Sequence, residues 1–483
     1  MSPKVLVQEP VKPEASLGAQ AAAKVRTGSN DFSRKPRPNL GWDPSSWQSK
    51  PVTQDVLYGN EKALEAALAK LESLPPLVHA NEIEKLRTQL AEASRGERFV
   101  LQGGDCAELF DYCNPDQIEA KLKILLQMSL VLIWGTHVPI LRIGRIAGQY
   151  AKPRSKLTEV VEGYGEISSF RGDNINGFEP SDRTPDPKRL VESYFHSAAT
   201  LNFIRSSLTN GFANLHHPNH WDLSHVQHDA TRARYQEVVD KISEGLQFMK
   251  TVGDNSDALS SVDFFTSHEA LLLEYEQTLT RQYNEKWYNT SAHFVWIGDR
   301  TRQLDGAHVE FFRGLRNPIG IKVGPSMEVS ELVQLLDIVD PDFEDGRVTL
   351  ITRYGADKIE SKLPAQIEAV RKSKHRVVWV SDPCHGNTKV SPITKLKTRY
   401  VDDIMTELKH ALRIHKLHGQ ELNGVHLELT GDPVTECIGG SQNLEDEELT
   451  VRYDTVCDPR LSLSQSLDVA FLVADYAASL QSM

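Results

Sequence analysis

Eight short apolar runs constrain this chain more than any other feature. They lie at 99–102, 140–143, 262–266, 294–297, 319–323, 348–352, 377–380 and 424–429, and most are rich in Val and Ile. Runs of this length without polar alternation are the pattern of strands buried on both faces. Helical spacing of apolar residues recurs between most of them, at 117–134, 188–206, 330–339, 363–371, 402–418 and 463–480. Strands alternating with helices eight times over indicate an α/β fold, the (β/α)8 barrel, which needs about 250 residues. The chain has 483, leaving room for extensions. One interval, 211–256, is too long for a single connection and reads as inserted helices, with 224–253 its most helical part.

In a parallel barrel the C-terminal ends of the strands face the active site. Here those ends carry, in chain order, Asp105 and Cys106, Arg142 and Arg145, His268 and Glu269, Asp299 and Arg300, Lys322, Arg353, Asp382 and His385, and Glu428. The commoner fate of an Arg–Asp cluster is a salt-bridged surface loop. Surface pairs would not gather at one end of all eight strands, so a common mouth is the simpler reading. The densest stretch is 292–325, which holds Trp296, Asp299, Arg300, Arg302 and Lys322.

The flanking segments are read from composition and period. Residues 1–45 are rich in Pro, Ala, Ser and Lys and read as a flexible arm. Two amphipathic helices, 61–74 and 81–93, make an N-terminal extension over 46–97, able to pack on the barrel or on another subunit. The barrel is assigned to 98–483. A net charge of −12 argues against a nucleic-acid surface. No run of about eighteen apolar residues is present, so no membrane span is expected. The N-terminus lacks the apolar core of a signal peptide and carries Glu9 and Glu14, which makes a cytoplasmic protein the expectation. Five cysteines without a CxxC pair imply a reducing compartment and no disulfide framework.

Two kinds of chemistry meet at the mouth. Cys106, His385, Glu428 and, further on, Asp458 in TVCDPRLS offer a thiolate, an imidazole and two carboxylates. Carboxylates favour manganese-like ions and sulfur favours zinc, cobalt or iron, so the donor set points to one divalent ion (Mn, Co, Zn or Fe) without choosing among them. A lone buried Cys is usually a small hydrophobe; the argument rests on the shared position. Cys384 is set aside because adjacent strand residues face opposite sides. The second chemistry is anion binding. Arg145, Arg300, Lys322 and Arg353 come from four strands, and Lys152, Arg154 and Ser155 in QYAKPRS form a second basic group after the second strand. Two basic groups imply two anionic substrates or one large one. There is no GxxxxGKS loop and no GxGxxG after a strand, so neither nucleotide hydrolysis nor a dinucleotide cofactor is favoured.

The runs LQGGDCAE, RIAGQYAKPRS, RGDNINGF, TSHEALLLEYE, WIGDRTRQLDGAH, GIKVGPS, DPCHGNT, HLELTGDPVTECIGG and CDPRLS resemble the type II family of 3-deoxy-D-arabino-heptulosonate 7-phosphate (DAHP) synthases, which open the shikimate pathway to the aromatic amino acids. The likeness runs from about Trp42 to the C-terminus. It implies a transferase whose metal ligands are Cys106, His385, Glu428 and Asp458. It implies that phosphoenolpyruvate is held by Arg145, Arg300, Lys322 and Arg353 with Trp296 and Asp299, and that Lys152, Arg154 and Ser155 meet the phosphate of erythrose 4-phosphate. In the implied aldol-like condensation a divalent ion activates the aldehyde and C3 of phosphoenolpyruvate attacks it. Water then adds at C2 and phosphate leaves, with Lys322 or a water near Asp299 handling protons. Asp299 departs from the family's WIGERT pattern, which has Glu there. The resemblance also implies a homo-oligomer and aromatic amino-acid effectors acting at 211–256 and the N-terminal extension. Two other readings are a different metal-dependent barrel enzyme, such as a hydrolase, and a catalytically silent sensor or scaffold. The first would normally bring several metal-binding histidines. Cys457 precedes Asp458, which makes it a candidate to pair with Cys106 when no ion is bound.

Overall fold

The computed structural model describes residues 41–210, 229–251 and 262–481. Eight parallel strands form a closed barrel: β1 (Phe99–Gly104), β2 (Ile140–Arg145), β3 (Phe264–Glu269), β4 (Phe294–Ile297), β5 (Ile319–Val323), β6 (Val348–Thr352), β7 (Val378–Ser381) and β8 (Gly424–Glu428). Each strand pairs with its sequence neighbours, and β1 closes on β8 with Val100 opposite Gly424. All eight expected runs are these strands. The third begins two residues later than its apolar run and continues to Glu269, because Val262 and Asp263 precede the ladder.

Period-two alternation divides each strand between the barrel interior and the surrounding helices. Val100, Leu141, Ile143, Phe265, Phe294 and Val380 point inward, while Phe99, Leu101, Val295, Ile319, Ile321 and Leu350 pack outward under the helices. The outer layer is made by α3 (Pro115–Thr136), α4 (Lys188–Thr209), α5 (Asp229–Thr251), α6 (Leu273–Thr278), α7 (Ala307–Arg313), α8 (Val329–Val339), α9 (Ile359–Ser373), α10 (Val401–Leu417) and α11 (Leu463–Gln481). Asn114 caps α3 by accepting from the Gln117 amide at 3.1 Å, and Pro115 follows where a missing N–H costs nothing.

The two N-terminal helices are α1 (Glu61–Glu72) and α2 (Ala80–Ser94). Asn60 caps the first, which ends before Pro75-Pro76. The second crosses the N-terminal ends of the strands, and its Leu86, Leu90 and Ala93 join the interior side chains in one cluster. The extension therefore packs on its own barrel and plugs its floor. Of the arm expected over 1–45, all but 41–45 lies outside the described residues. The insertion expected over 211–256 contains one described helix, α5, packed against α3 and α11; the rest of that segment lies outside the described residues.

Three antiparallel hairpins decorate the barrel: Thr158–Val161 with Gly165–Ser168, Thr280–Tyr283 with Lys286–Asn289, and Thr388–Val390 with Lys397–Arg399. The first and third rise at the mouth. Among the described residues no helix is long and apolar enough to cross a membrane.

Candidate active site

A cavity of about 390 Å³ opens at the C-terminal ends of the strands. Its wall includes Cys106, Arg145, Lys152, Arg154, Ser155, Trp296, Asp299, Arg300, Lys322, Arg353, His385 and Asp458. Glu428 lies just behind, with Oε1 2.9 Å from His385 Nε2. The structure thus brings every expected site residue to one place. Three other strand-end residues do not belong, and the first is Asp105, whose carboxylate pairs with Lys121 and Arg460. Arg142 is the third residue of β2 and points outward, donating to the Ile140 carbonyl with Asp263 and Arg98 as its charged neighbours. His268 also faces outward, its Nε2 2.8 Å from Glu276. The last two errors are of parity: one step along a strand turns a side chain to the other face.

Inside the barrel a polar relay leads up to the cavity. Gln102 donates to Ser267 Oγ at 3.0 Å and its Oε1 lies 2.8 Å from His426 Nδ1, while His426 Nε2 lies 2.6 Å from Arg145 Nη1. This network assigns the imidazole proton to Nδ1, with Nε2 accepting from the guanidinium. Burial, reinforced by Lys322 and Arg145, holds the His426 pKa well below its ordinary value and keeps the ring neutral. Arg145 also donates to the Asp105 carbonyl at 2.9 Å, the Cys106 carbonyl at 3.1 Å and Glu428 Oε1 at 3.1 Å.

The metal-type donors stand in two pairs. His385 faces Glu428, and Cys106 Sγ lies 3.7 Å from Asp458 Oδ2. Cys457, the candidate partner of Cys106, has its sulfur beside this second pair: ligand atoms of Cys106, Cys457 and Asp458 all lie within 4.8 Å of one another. The Lys152 ammonium reaches this group, donating to Cys106 Sγ and, at 2.6 Å, to Asp458 Oδ2. Burial opposes its charge, but Asp458 and Cys106 outweigh burial and hold its pKa well above the lysine range.

His385 and Glu428 are fixed from behind, the arrangement that orients metal ligands in general. Asp382 Oδ2 accepts from His385 Nδ1 at 2.7 Å, which turns Nε2 toward Glu428. Arg399, wholly buried, donates to Glu428 Oε2 at 2.6 Å. Burial alone would raise the Glu428 pKa, but His385 and Arg399 hold it well below the carboxylate range. A soft sulfur, an imidazole nitrogen and two ionised carboxylates, already gathering a cation in the form of Lys152, fit a divalent ion. They do not distinguish manganese from zinc, cobalt or iron.

Lys322, Arg353 and Arg300 are further basic side chains of the same wall. Lys322 donates to Asp382 Oδ2 at 2.5 Å, and burial brings its pKa down to about 8 against the pull of that carboxylate. Arg353 donates to Asp299 Oδ2 at 2.8 Å and to the His385 carbonyl at 3.1 Å. Asp299 Oδ1 accepts from Arg302 at 3.0 Å, and Arg302 continues to Glu331 and Ser326. The shorter acid at this position therefore ties Arg302 to Arg353, and Arg302 belongs to a salt-bridge network beside the cavity. Arg300 Nη2 donates to Ser155 Oγ at 3.0 Å, linking the two basic groups. The Trp296 indole lies near the charges of both Arg145 and Lys322, and its buried N–H has no acceptor among the described residues, which leaves a donor available to a ligand.

The loop that carries Lys152, Arg154 and Ser155 is held from below. Lys152 N donates to the Arg171 carbonyl at 2.8 Å, and the Arg171 side chain donates to the Asp55 and Gln54 carbonyls. Gly172 sits at φ +111°, and a Cβ there would lie 1.7 Å from the Tyr150 carbonyl oxygen, so only glycine lets the two segments meet. The run RGDNINGF is thus a scaffold for the loop.

Sequence reasoning missed Gln149, Lys397 and Thr388, all in the cavity wall, and left Glu269 without a role. It also passed over Arg399. Only the clustering of polar residues next to quoted runs pointed to them.

The sequence model of the "Class-II DAHP synthetase family" matches residues 42–474. A Neurospora crassa protein named phospho-2-dehydro-3-deoxyheptonate aldolase is 53% identical over 465 residues, covering 92% of this chain and 96% of its own. Proteins of the same name from Streptomyces coelicolor and Mycolicibacterium smegmatis are 47% and 43% identical, covering 91% and 88% of this chain and 98% and 93% of theirs. With the match spanning the barrel and all of the cavity wall, the chain belongs to the class-II DAHP synthetase family.

Proposed function

We propose that the chain condenses phosphoenolpyruvate with D-erythrose 4-phosphate and water, giving DAHP and inorganic phosphate as the first step of the shikimate pathway. The observation that carries this reading is one cavity with two basic groups on its walls and a thiol, imidazole and carboxylate donor set at its base. Two phosphorylated substrates need two such groups, and a carbonyl acceptor needs an electrophilic partner between them. The names of the relatives support the same activity.

Cys106, His385, Glu428 and Asp458 would hold one divalent ion, which when bound supplies Lewis acidity toward an aldehyde oxygen. Lys152 now satisfies Cys106 and Asp458, so a cation taking those donors would free its ammonium for the phosphate of erythrose 4-phosphate, beside Arg154 and Ser155. Arg300, Lys322 and Arg353 would hold the phosphate and carboxylate of phosphoenolpyruvate. Arg145 adds its charge while its hydrogen bonds steady Glu428 and the Cys106 carbonyl. The Trp296 N–H donates to the same substrate, and Asp299 keeps Arg353 aimed at it. With a pKa of about 8, Lys322 can give and recover a proton near neutrality, which suits it to the proton transfers around C3 and C2.

The cytoplasm is the compartment in which five unpaired cysteines and this pathway fit together. Homo-oligomer formation and control by aromatic amino acids are part of the proposal, with α1, α2 and α5 as the elements outside the basic barrel plan. The test is release of phosphate from both substrates by protein reconstituted with each candidate metal, repeated with phenylalanine, tyrosine and tryptophan singly and together. No phosphate release with any metal would overturn the activity. Unchanged rates with all three amino acids would remove the control.

A further inference from the structure

Strand β3 ends at Glu269, whose amide donates to Gln149 Oε1 at 2.9 Å and whose carboxyl lines the cavity. The other acids here are engaged. Asp299 accepts from Arg302 and Arg353, Asp382 from Lys322 and His385, Glu428 from Arg145 and Arg399, and Asp458 from Lys152 and Lys397. The Glu269 carboxyl is different: its Oε1 is buried with no hydrogen-bond partner among the described residues, set against Gly298 so closely that a Cβ there would fall 2.0 Å away. Lys322, Lys152 and Arg300 act on it only as surrounding charges, opposing the rise that burial imposes on its pKa.

A buried acceptor with no donor is rare in a folded protein, and in a binding cavity the donor comes from a bound substrate or from water. Of the two phosphorylated substrates, only one can donate. Phosphoenolpyruvate bears a carboxylate and a phosphate and no hydroxyl, so it brings only acceptors. The four-carbon aldose phosphate brings two hydroxyl donors, at C2 and C3. Glu269 also stands where these substrates meet, since its charged neighbours include Lys322 and Arg300 of one basic group and Lys152 of the other.

On the activity reading above, we infer that Glu269 is a specificity-determining residue that accepts a hydrogen bond from the C2 or C3 hydroxyl of the aldose phosphate. The bond fixes the carbon chain between the two anion sites and turns its aldehyde toward phosphoenolpyruvate.

The experiment compares erythrose 4-phosphate with its 2-deoxy and 3-deoxy analogues in wild type, Glu269→Ala and Glu269→Gln, at saturating metal and phosphoenolpyruvate. Hydrogen bonds to charged groups correspond to about 10- to 100-fold, so wild type should prefer the parent substrate over one analogue by about that factor in kcat/KM. In Glu269→Ala the preference should collapse to within about 3-fold. In Glu269→Gln, whose amide oxygen still accepts, part of it should survive, and this variant carries the test if the alanine variant does not fold. The KM for phosphoenolpyruvate should stay within about 3-fold in each. Full retention of the preference in the variants overturns the inference, as does an equal loss for all three aldoses with a parallel rise in the phosphoenolpyruvate KM. A wild type inert toward both substrates would overturn the activity reading itself; an active wild type whose preference outlives Glu269 overturns this inference alone.

Discussion

Replacing Asp382 by Asn perturbs both chemistries of the cavity, because this one carboxylate serves both. It accepts from Lys322 Nζ at 2.5 Å and from His385 Nδ1 at 2.7 Å, and its Oδ1 takes the Cys384 and His385 amides at 3.1 and 3.2 Å. Lys322 is nearly buried, and its pKa falls from 10.5 to about 8 through burial, against the attraction of Asp382. A lysine with a depressed folded pKa destabilises the fold while it is charged, below pH 8, and that cost disappears as pH rises toward 10.5. At 1.36 kcal/mol per unit the cost is on the order of 3 kcal/mol. Removing the opposite charge lowers such a pKa by a further ~1–3 units. With a drop of ~2 units, the charged fraction near pH 7.5 falls from about three quarters to about 3%, roughly 25-fold. The assay is kcat/KM for phosphoenolpyruvate from about pH 6 to 9 at saturating metal, following phosphate release. Wild type should lose activity as pH rises through about 8, and the variant should lose it ~1–3 units lower. Metal affinity should fall about 10- to 100-fold in the same variant, since His385 loses the partner that orients it. An unshifted basic limb would refute the assignment of that limb to Lys322.

Four further outcomes are expected. Arg300→Ala should raise the KM for phosphoenolpyruvate with little change in bound metal, measured by elemental analysis, because its hydrogen-bond partner is Ser155 and not a metal-type donor; parallel loss of metal would merge the two sites. Arg399→Met should cost about 3–5 kcal/mol in denaturant unfolding, since it leaves the fully buried Glu428 without one of its cations. Leu90→Ala, in the helix that plugs the barrel floor, should cost about 2–5 kcal/mol while leaving KM values unchanged. Oxidising metal-free protein with a disulfide reagent should link Cys106 to Cys457, whose sulfurs belong to one cluster, and reduction with added metal should restore activity. Inactivation that persists identically in Cys457→Ser would exclude that pair.

The barrel was legible because a parallel strand buried on both faces must be apolar throughout, so eight runs stand out without periodicity analysis. Strand-end residues were legible to within one position. Lys322, Arg145 and Arg353 share the inward parity, whereas Arg142 and His268 have the other, and reading charge without parity grouped them wrongly. Helices α6 and α7, of 6 and 7 residues, are too short to display a helical period and went unread. Asp382 was visible as a strand-end acid, but its double engagement of Lys322 and His385 was not, because Lys322 lies 60 residues away in the chain. Arg399 reaches Glu428 from a hairpin, where no repeat fixes the direction of a side chain. The quoted run RGDNINGF resembled functional motifs but works by backbone approach, a role betrayed only by the φ of Gly172.

Closure of β1 on β8 has a consequence for how the protein is made. Gln102 and His426 meet across 324 residues of chain, and the Val100 amide donates to the Asn423 carbonyl at 2.7 Å. At the usual pace of synthesis that interval takes roughly 15–65 s. For all of that time β1, an apolar strand led by Phe99 and Val100, has an unpaired edge that could recruit another nascent chain. Helix α2 is made earlier, and its Leu86 and Leu90 offer β1 and β2 an apolar partner as soon as those strands emerge. The N-terminal extension is therefore placed to act as an intramolecular chaperone, shielding the first strands until the last one arrives to complete the ring.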